Sequence, residues 1–284
     1  MLVFIIDTCP DSYLLKIYKY LFYHHNMQNS DTKNKFGSQV KEYNKYRSQY
    51  PREFYDFLFS LVKIKKVENI LDIGCGTGKS TEPLVRGNAK VIGYDHDSRM
   101  LKQARSNALE YHLPIEYIKG EAEDLPFEDN SFDVVTIGTA FHWFANKKVV
   151  ENIERILKPD GLLFIHWKQI GKEDVRLRKK IFSKFYQDYK GSGILITPEE
   201  VIDFLKNQGF QKIENTKKSY KFNYNLESAV GRLKTVGYYF RLSPKQKIEF
   251  EDIATKVFSD YLNKKNKIEF GATTQIVYAY KKNK

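Results

Sequence analysis

Residues 69–80 read NILDIGCGTGKS. A short apolar run, Asn69 to Ile73, leads into glycines at 74, 76 and 78, and the residues that follow suit a helix to about Arg86. This is the strand, turn and helix of an α/β protein. Glycine permits positive φ and a close ligand approach, and a helix N-terminus offers free N–H groups to an anionic group. Two familiar loops fail on spacing. In a Walker-type phosphate loop the first glycine would fall on Ile73, counting back from Gly78-Lys79-Ser80. A dinucleotide fingerprint fits Gly74 and Gly76 but meets Lys79 where its third glycine belongs, which disfavours a nicotinamide oxidoreductase. What remains is Asp-x-Gly-x-Gly-x-Gly, opened by Asp72.

On the C-terminal side a regular alternation follows. Lys90 to Tyr94 is a second strand closed by Asp95, residues 98–110 a helix, Ile115 to Lys119 a third strand and Phe132 to Gly138 a fourth. Residues 146–157 read as a helix, and Pro159-Asp160-Gly161 turns into a fifth strand, Leu162 to Trp167. Strands alternating with helices predict right-handed crossovers and a parallel sheet covered on both faces. Helices are expected at 173–190 and 198–208, and strands at Lys212 to Tyr224 and Ala272 to Lys281. The helical, basic stretch 226–266 between those last strands predicts a cap over the carboxyl edge of the sheet. The expected fold is a doubly wound, mostly parallel sheet of seven strands with its last pair partly antiparallel.

On the N-terminal side, the pattern is helical from Phe36 to about residue 60, with an aromatic and basic cluster at Tyr43, Tyr46, Arg47, Tyr50 and Pro51. Residues 1–35 form an extension, an amphipathic segment at 1–26 joined by a polar run from Gln28 to Lys35. Two readings of it stay open: a packed helix, or an upstream start with translation beginning at Met27. The domain proper then runs 36–284.

Composition is that of a globular chain: 284 residues, 42% hydrophobic and 29% charged. No stretch approaches the ~18 apolar residues of a membrane span, and the run Leu2 to Ile6, ended by Asp7, is short for a signal segment. Two cysteines, Cys9 and Cys75, exclude a disulfide scaffold and a four-cysteine zinc site, and fit a reducing cytosol. His24 and His25 are adjacent and have no ligand partner at metal-binding spacing, so no metal is expected. There is no Gly-x-Ser-x-Gly nucleophile elbow. Residues 1–170 carry 23 Lys and Arg against 22 Asp and Glu, and residues 171–284 carry 24 against 13. The basic C-terminal part is either a solvated face or an attraction for anions such as nucleic acid.

Asp72 to Gly78 resembles the first motif of the class I S-adenosylmethionine-dependent methyltransferases, within them the type-11 group. Three further elements follow in the family's order. Asp95, 21 residues beyond Gly74, stands where a ribose-holding carboxylate belongs; taken alone it reads as a solvated strand end, with Asp97 a helix N-cap. Gly120-Glu121-Ala122-Glu123-Asp124-Leu125-Pro126-Phe127 resembles the loop after the third strand, with Glu121 in place of the usual Asp. Glu151 to Gly161 resembles the helix and turn before the fifth strand, with Asp160 where glycine is commoner. The likeness is close over residues 36–170 and loose elsewhere. It implies a Rossmann-like methyltransferase fold and S-adenosylmethionine as methyl donor. It also implies that Asp72, Gly74, Cys75 and Gly76 shape the methionine site, Asp95 and His96 the ribose site, and Glu121 with Ala122 the adenine site. Met100 and Thr139 complete the cofactor contacts.

The acceptor belongs beyond the carboxyl ends of the strands. Strand four runs out into Ala140-Phe141-His142-Trp143-Phe144, similar to the trans-aconitate methyltransferase branch, and strand five ends at His166-Trp167. Both His-Trp pairs are expected to face one crevice, where aromatic faces suit a sulfonium cation. His142 and Trp143 border the acceptor, with His142 a candidate base; Arg47 is a candidate partner for the cofactor's carboxylate or for an acidic acceptor, and Arg232, Lys234 and Arg241 are candidate cations for such an acceptor. The expected activity is methyl transfer to a small molecule such as a carboxylic acid. Two alternatives stand beside it: an RNA methyltransferase using the basic part, although no RNA module and no Asn-Pro-Pro-Tyr-type loop is present, and a non-catalytic S-adenosylmethionine-binding module.

Overall fold

The computed structural model describes residues 39–62, 66–187, 189 and 196–283. The expectations for residues 1–35, including Met27, His24 and His25, lie outside them. A seven-stranded sheet in the order β3-β2-β1-β4-β5-β7-β6 forms the centre. Its strands are β1 (Asn69–Ile73), β2 (Lys90–Asp95), β3 (Ile115–Lys119), β4 (Phe132–Gly138), β5 (Leu157–Ile170), β6 (Phe210–Tyr224) and β7 (Ile268–Lys281). β1 to β5 are parallel, and β7 is antiparallel to both β5 and β6. The central strands are apolar on both sides because helices cover both faces. Leu71, Val135, Leu163 and Ile165 pack with Val149, Ile153 and Leu205 on one face, while Ile70, Val134, Leu162 and Phe164 pack with Phe54, Tyr55 and Leu58 on the other.

The first-named face is covered by α4 (Lys147–Ile156) and α6 (Pro198–Lys206), the second by α2 (Arg52–Ser60), which follows the short α1 (Val40–Tyr46). α3 (Ser98–Glu110) lies beside β2 and β3. Side chains cap these helices at their expected starts: Asp97 accepts from the Arg99 amide, Asn146 from Val149, and Thr197 forms a capping box with Glu200. Beyond β5 come α5 (Lys172–Phe182), then α7 (Leu226–Leu233), α8 (Gly237–Phe240) and α9 (Pro244–Ser259) between β6 and β7. Leu177, Phe182, Leu233, Phe250 and Phe258 give these helices a core of their own with Phe270. Tyr224 pairs with Ile268, and Ile170 with Ala272. The segment between β6 and β7 therefore leaves and rejoins the sheet at the carboxyl edge of β1 to β5, where a cap was expected. Among the described residues no helix is long and apolar enough to cross a membrane.

Three expectations need correction. No α-helix follows the glycine loop. Residues 76–81 wind through turns into a single 3-10 turn, Glu82–Leu84. Gly78 sits at φ +85°, and the Ser80 and Thr81 hydroxyls are drawn to Asp72, so the chain is bent and tied before a helix can propagate. The helix expected from Phe36 is split. The chain turns extended at Arg47, and Pro51 disfavours helical geometry at Tyr50 before α2 starts. α5 ends at Phe182, short of the expected residue 190. The turn at 159–161 is a bulge within β5: the pairing jumps from Leu157 to Leu162 while β4 advances from Phe132 to Val134. Asp160 has φ +58° there, which explains why glycine commonly holds this place and why Asp, tolerant of left-handed geometry, can replace it.

Candidate functional site

The carboxyl ends of β1 to β4 bring together most of the residues expected to hold a cofactor. Gly74, Gly76 and Gly78 all have positive φ, +71°, +55° and +85°. A Cβ on Gly74 would lie 2.5 Å from that of Ala140, so glycine lets the chain after β4 close on the loop. At Gly76 a Cβ would meet nothing within 4 Å. This is the loop's open face, where a ligand can lie directly against backbone. The Gly74 and Cys75 amides donate to the Tyr94 carbonyl at 2.7 and 3.3 Å, and the Gly76 amide donates to Asp95 Oδ2 at 2.9 Å. With these amides occupied and no helix behind them, the loop is not an anion cradle. That fits a ligand whose group at the loop is not a phosphate.

Asp72 lies behind the loop, fully buried. Its carboxylate accepts from Ser80 Oγ at 2.8 Å, Thr81 Oγ1 at 2.7 Å and Thr136 Oγ1 at 2.9 Å. Burial pushes its pKa from 3.8 up to about 6, a rise that the three hydroxyls oppose. It reaches the crevice only through the residues it braces. Asp95 is 8% exposed and joins loop to strand: Oδ2 takes the Gly76 amide, and Oδ1 takes the Asp97 amide at 2.9 Å with His96 Nδ1 at 3.3 Å. A carboxylate oxygen accepts more than one hydrogen bond, so capacity for ribose hydroxyls is left. Cys75 turns its thiol away, into the packing of Leu101, Ala104 and Tyr117, and burial raises its pKa well above the ordinary value. It has only backbone to offer. Met100 and Ala122 are buried and Glu121 is exposed. Thr139 is exposed at φ +55°, a costly geometry for a β-branched residue, and is held by its amide to the His166 carbonyl at 2.7 Å and by a hydroxyl contact with Tyr50 at 3.0 Å. A separate cleft of about 650 Å³, between α1, Lys79–Pro83 and α3, shares none of these residues.

The acceptor side departs further from expectation. His142 and Trp143 sit together in a 3-10 turn, Phe141–Trp143, directly after β4, with ring centroids 4.9 Å apart. His166 and Trp167 do not face one crevice with them. Successive strand residues point to opposite faces, so Trp167 packs with the α4 and α6 side and His166 lies among Tyr50, Phe54 and Phe164. Burial lowers the His166 pKa to about 3, which keeps the ring neutral. Arg232 is unavailable from the cap. Its guanidinium forks onto Asp174, with Nη2 2.8 Å from Oδ1, and lies over Phe270 and Tyr224. Arg178 shares the same carboxylate at 3.0 Å. Lys234 is paired with Glu251 at 2.9 Å, and Arg241 is exposed beside Tyr238. Arg47 straps the linker to the cap, donating from Nη2 to the Thr235 carbonyl at 3.2 Å.

Sequence reasoning missed Lys168 and Ser48. Lys168 extends β5 on the His166 face, its Nζ 2.8 Å from Ser48 Oγ, 4.0 Å from the Phe222 ring centre and 5.2 Å from that of Tyr50. Burial, and then the charges of Arg47 and Arg232, lower its pKa to about 7, with Asp174 opposing. A lysine two residues beyond a histidine at the end of an otherwise apolar strand was the available signal.

Comparison with known proteins places this geometry. The type-11 family profile, Methyltransferase domain, matches residues 71–165. An uncharacterised methyltransferase of Schizosaccharomyces pombe is 32% identical over 134 residues, 46% of this chain and 51% of that protein. The chain spans about half the length of the curated relatives it matches first. An uncharacterised protein of Methanocaldococcus jannaschii is 32% identical over 193 residues, 66% of this chain and 86% of that protein. Among solved structures, phosphoethanolamine N-methyltransferase 2 of Haemonchus contortus, in complex with phosphomonomethylethanolamine and S-adenosylhomocysteine, aligns with a TM-score of 0.53 at 17% identity, over 93% of this chain and 60% of that one. At that identity the likeness speaks to fold alone.

Proposed function

We propose that the chain, whose residues 71–165 match a methyltransferase domain, is a class I S-adenosylmethionine-dependent methyltransferase that transfers a methyl group from S-adenosylmethionine to a small molecule held beneath the cap. The observation that carries this reading is the open face of Gly76, at positive φ and tied by its amide to Asp95. A side chain there would fill the space a ligand needs. In this reading Gly74 to Gly76 receive the methionine part, Asp95 with His96 the ribose, and Glu121 with the backbone of Ala122 the adenine. Met100 and Thr139 close the margins. Asp72 acts at one remove, by fixing the second half of the loop.

When bound, S-adenosylmethionine supplies an electrophilic methyl group on a sulfonium. The acceptor class we infer is a small carboxylic acid, following the resemblance of the segment Ala140 to Phe144. A carboxylate is already nucleophilic and needs no base, so the work left to the chain is alignment and exclusion of water. His142 and Trp143 would border the acceptor, Trp143 offering an aromatic face near the cationic donor. His166, buried and neutral, serves packing and not proton transfer. The single-domain division at residues 36–284 and a cytosolic setting belong to the same proposal. The test is calorimetric titration with S-adenosylmethionine at low and high salt. Micromolar binding that survives salt supports it, and no binding to the folded protein overturns it.

A further inference from the structure

Around the end of β5 the fold gathers more positive charge than it neutralises. Lys168 faces Arg47 from the linker and Arg232 from α7, with Lys218 on the same face of β6 and Arg178 behind. Asp174 is the one carboxylate among these groups, and Arg232 and Arg178 already occupy it. Tyr50 and His166 also face Lys168, and burial keeps both uncharged near neutral pH; the Tyr224 hydroxyl lies 3.3 Å from Ser48 Oγ beside them.

Hydrogen bonding is incomplete in the same place. An ammonium carries three donors, and Lys168 has one acceptor, Ser48 Oγ, among the described residues. Two of its sides are taken by the rings of Phe222 and Tyr50. Thr274, directly across from it on β7, is fully buried with no hydrogen-bond partner for its hydroxyl among the described residues. The Nε atoms of Arg47 and Arg232 are likewise buried without one. Unpaired buried polar groups cost about 1–3 kcal/mol each, a cost that the oxygen atoms of a bound anion would relieve.

We propose that Lys168, with Ser48 and Tyr50 beside it, is the point at which the acceptor's anionic oxygen group, a carboxylate or a phosphate, is recognised. The proposal rests on the methyl-transfer reading and extends it in two ways. It moves the acceptor cation from the cap arginine, which is consumed by Asp174, to a strand-end lysine. It also separates anchoring from reaction, because an oxygen that accepts from an ammonium is a poorer nucleophile. The oxygen held by Lys168 is therefore distinct from the atom that is methylated, which is another oxygen of the same group or of a second anionic group. The lowered pKa of Lys168 adds a consequence. An anion binds the protonated lysine, so acceptor affinity falls as pH rises through about 7.

The experiment uses the full chain as wild type, Lys168→Met and Lys168→Arg. S-adenosylmethionine binding is measured by calorimetry. Release of S-adenosylhomocysteine is followed with a panel of small mono- and dicarboxylic acids, phosphate monoesters, and the matched amides and alcohols. The expected result is turnover of anionic members and not of their uncharged analogues. Lys168→Met should raise the acceptor KM at least tenfold while donor affinity stays within twofold of wild type, and Lys168→Arg should restore most of it. The wild-type KM should climb above pH 7, whereas that of the arginine variant stays flat because guanidinium does not titrate. The acid and phosphate arms say which anion is used. Donor binding without turnover of any anion overturns the proposal, as does an unchanged KM in Lys168→Met or equal use of the uncharged analogues. Failure of the folded wild type to bind the donor strikes the methyl-transfer reading instead.

Discussion

Replacing Asp72 by asparagine tests whether the acid that opens the glycine loop is a brace whose charge the fold tolerates at a cost. In the folded chain the carboxyl keeps its proton up to about pH 6, against 3.8 as the ordinary value. Between those values the folded state binds more protons than the unfolded one, so stability falls as pH rises through the window. The contribution is fully present below the lower value and lost above the upper. A rise of roughly two pKa units corresponds to about 3 kcal/mol. Asparagine keeps the shape and removes the titration. The stability of wild type minus that of Asp72→Asn should therefore drop by about 2.5 kcal/mol between pH 4 and pH 7, most of the full difference. Urea unfolding at half-unit pH steps reads the difference directly, and titrations common to both proteins cancel. A difference that is flat with pH, or one that grows toward pH 7, would refute the reasoning, because it would mean that the hydroxyls of Ser80, Thr81 and Thr136 outweigh burial.

Three more perturbations separate the glycine loop, Asp95 and the cap. Asp95→Ala should weaken S-adenosylmethionine binding by about 1–3 kcal/mol, the scale of lost charge-assisted hydrogen bonds, and an unchanged calorimetric Kd in a folded variant would show the ribose to lie elsewhere. Gly76→Ala and Gly78→Ala should diverge: both carry about 1–2 kcal/mol of left-handed strain, but only the Gly78 variant drives its Cβ into the Tyr117 hydroxyl. Thermal unfolding should place Gly78→Ala well below Gly76→Ala, while donor titration should find the larger loss of affinity per unit of lost stability at Gly76. Arg232→Ala should cost about 3 kcal/mol in urea, at the low end for breaking a buried ion pair, since Arg178 still reaches Asp174.

Elements governed by local patterning were legible in the sequence. β1, β3, β4 and α3 run between the residues that the apolar periodicity and the Asp97 cap indicate. What went unread depends on partners far away in the chain. The helix expected after Gly78 is abolished by the left-handed geometry of Gly78 and by the pull of Asp72 on two hydroxyls. Arg232 looked available because Asp174, 58 residues away, gives no local sign of claiming it. Lys168 looked ordinary because Ser48, Tyr50 and Phe222 come from segments that only the sheet brings together. The paired reading of His166 and Trp167 failed for a simpler reason, the alternation of side chains along a strand. Gly74, Gly76 and Asp95, which the sequence reading grouped, do lie at adjacent strand ends, where the Gly76 amide donates to Asp95.

The segment from 225 to 267 departs from one strand and returns on its immediate neighbour, with Tyr224 and Ile268 still paired at its base. Its two ends are thus held by backbone hydrogen bonds that exist whatever lies between them. Lengthening such a connection costs little, because closure entropy grows only slowly with loop length. The cap behaves as an exchangeable module on a fixed mount, while the ends of β1 to β4 stay as they are. A chain built this way can vary the roof over its strand ends while β5 and the ends of β1 to β4, proposed to hold the anion and the donor, keep their places.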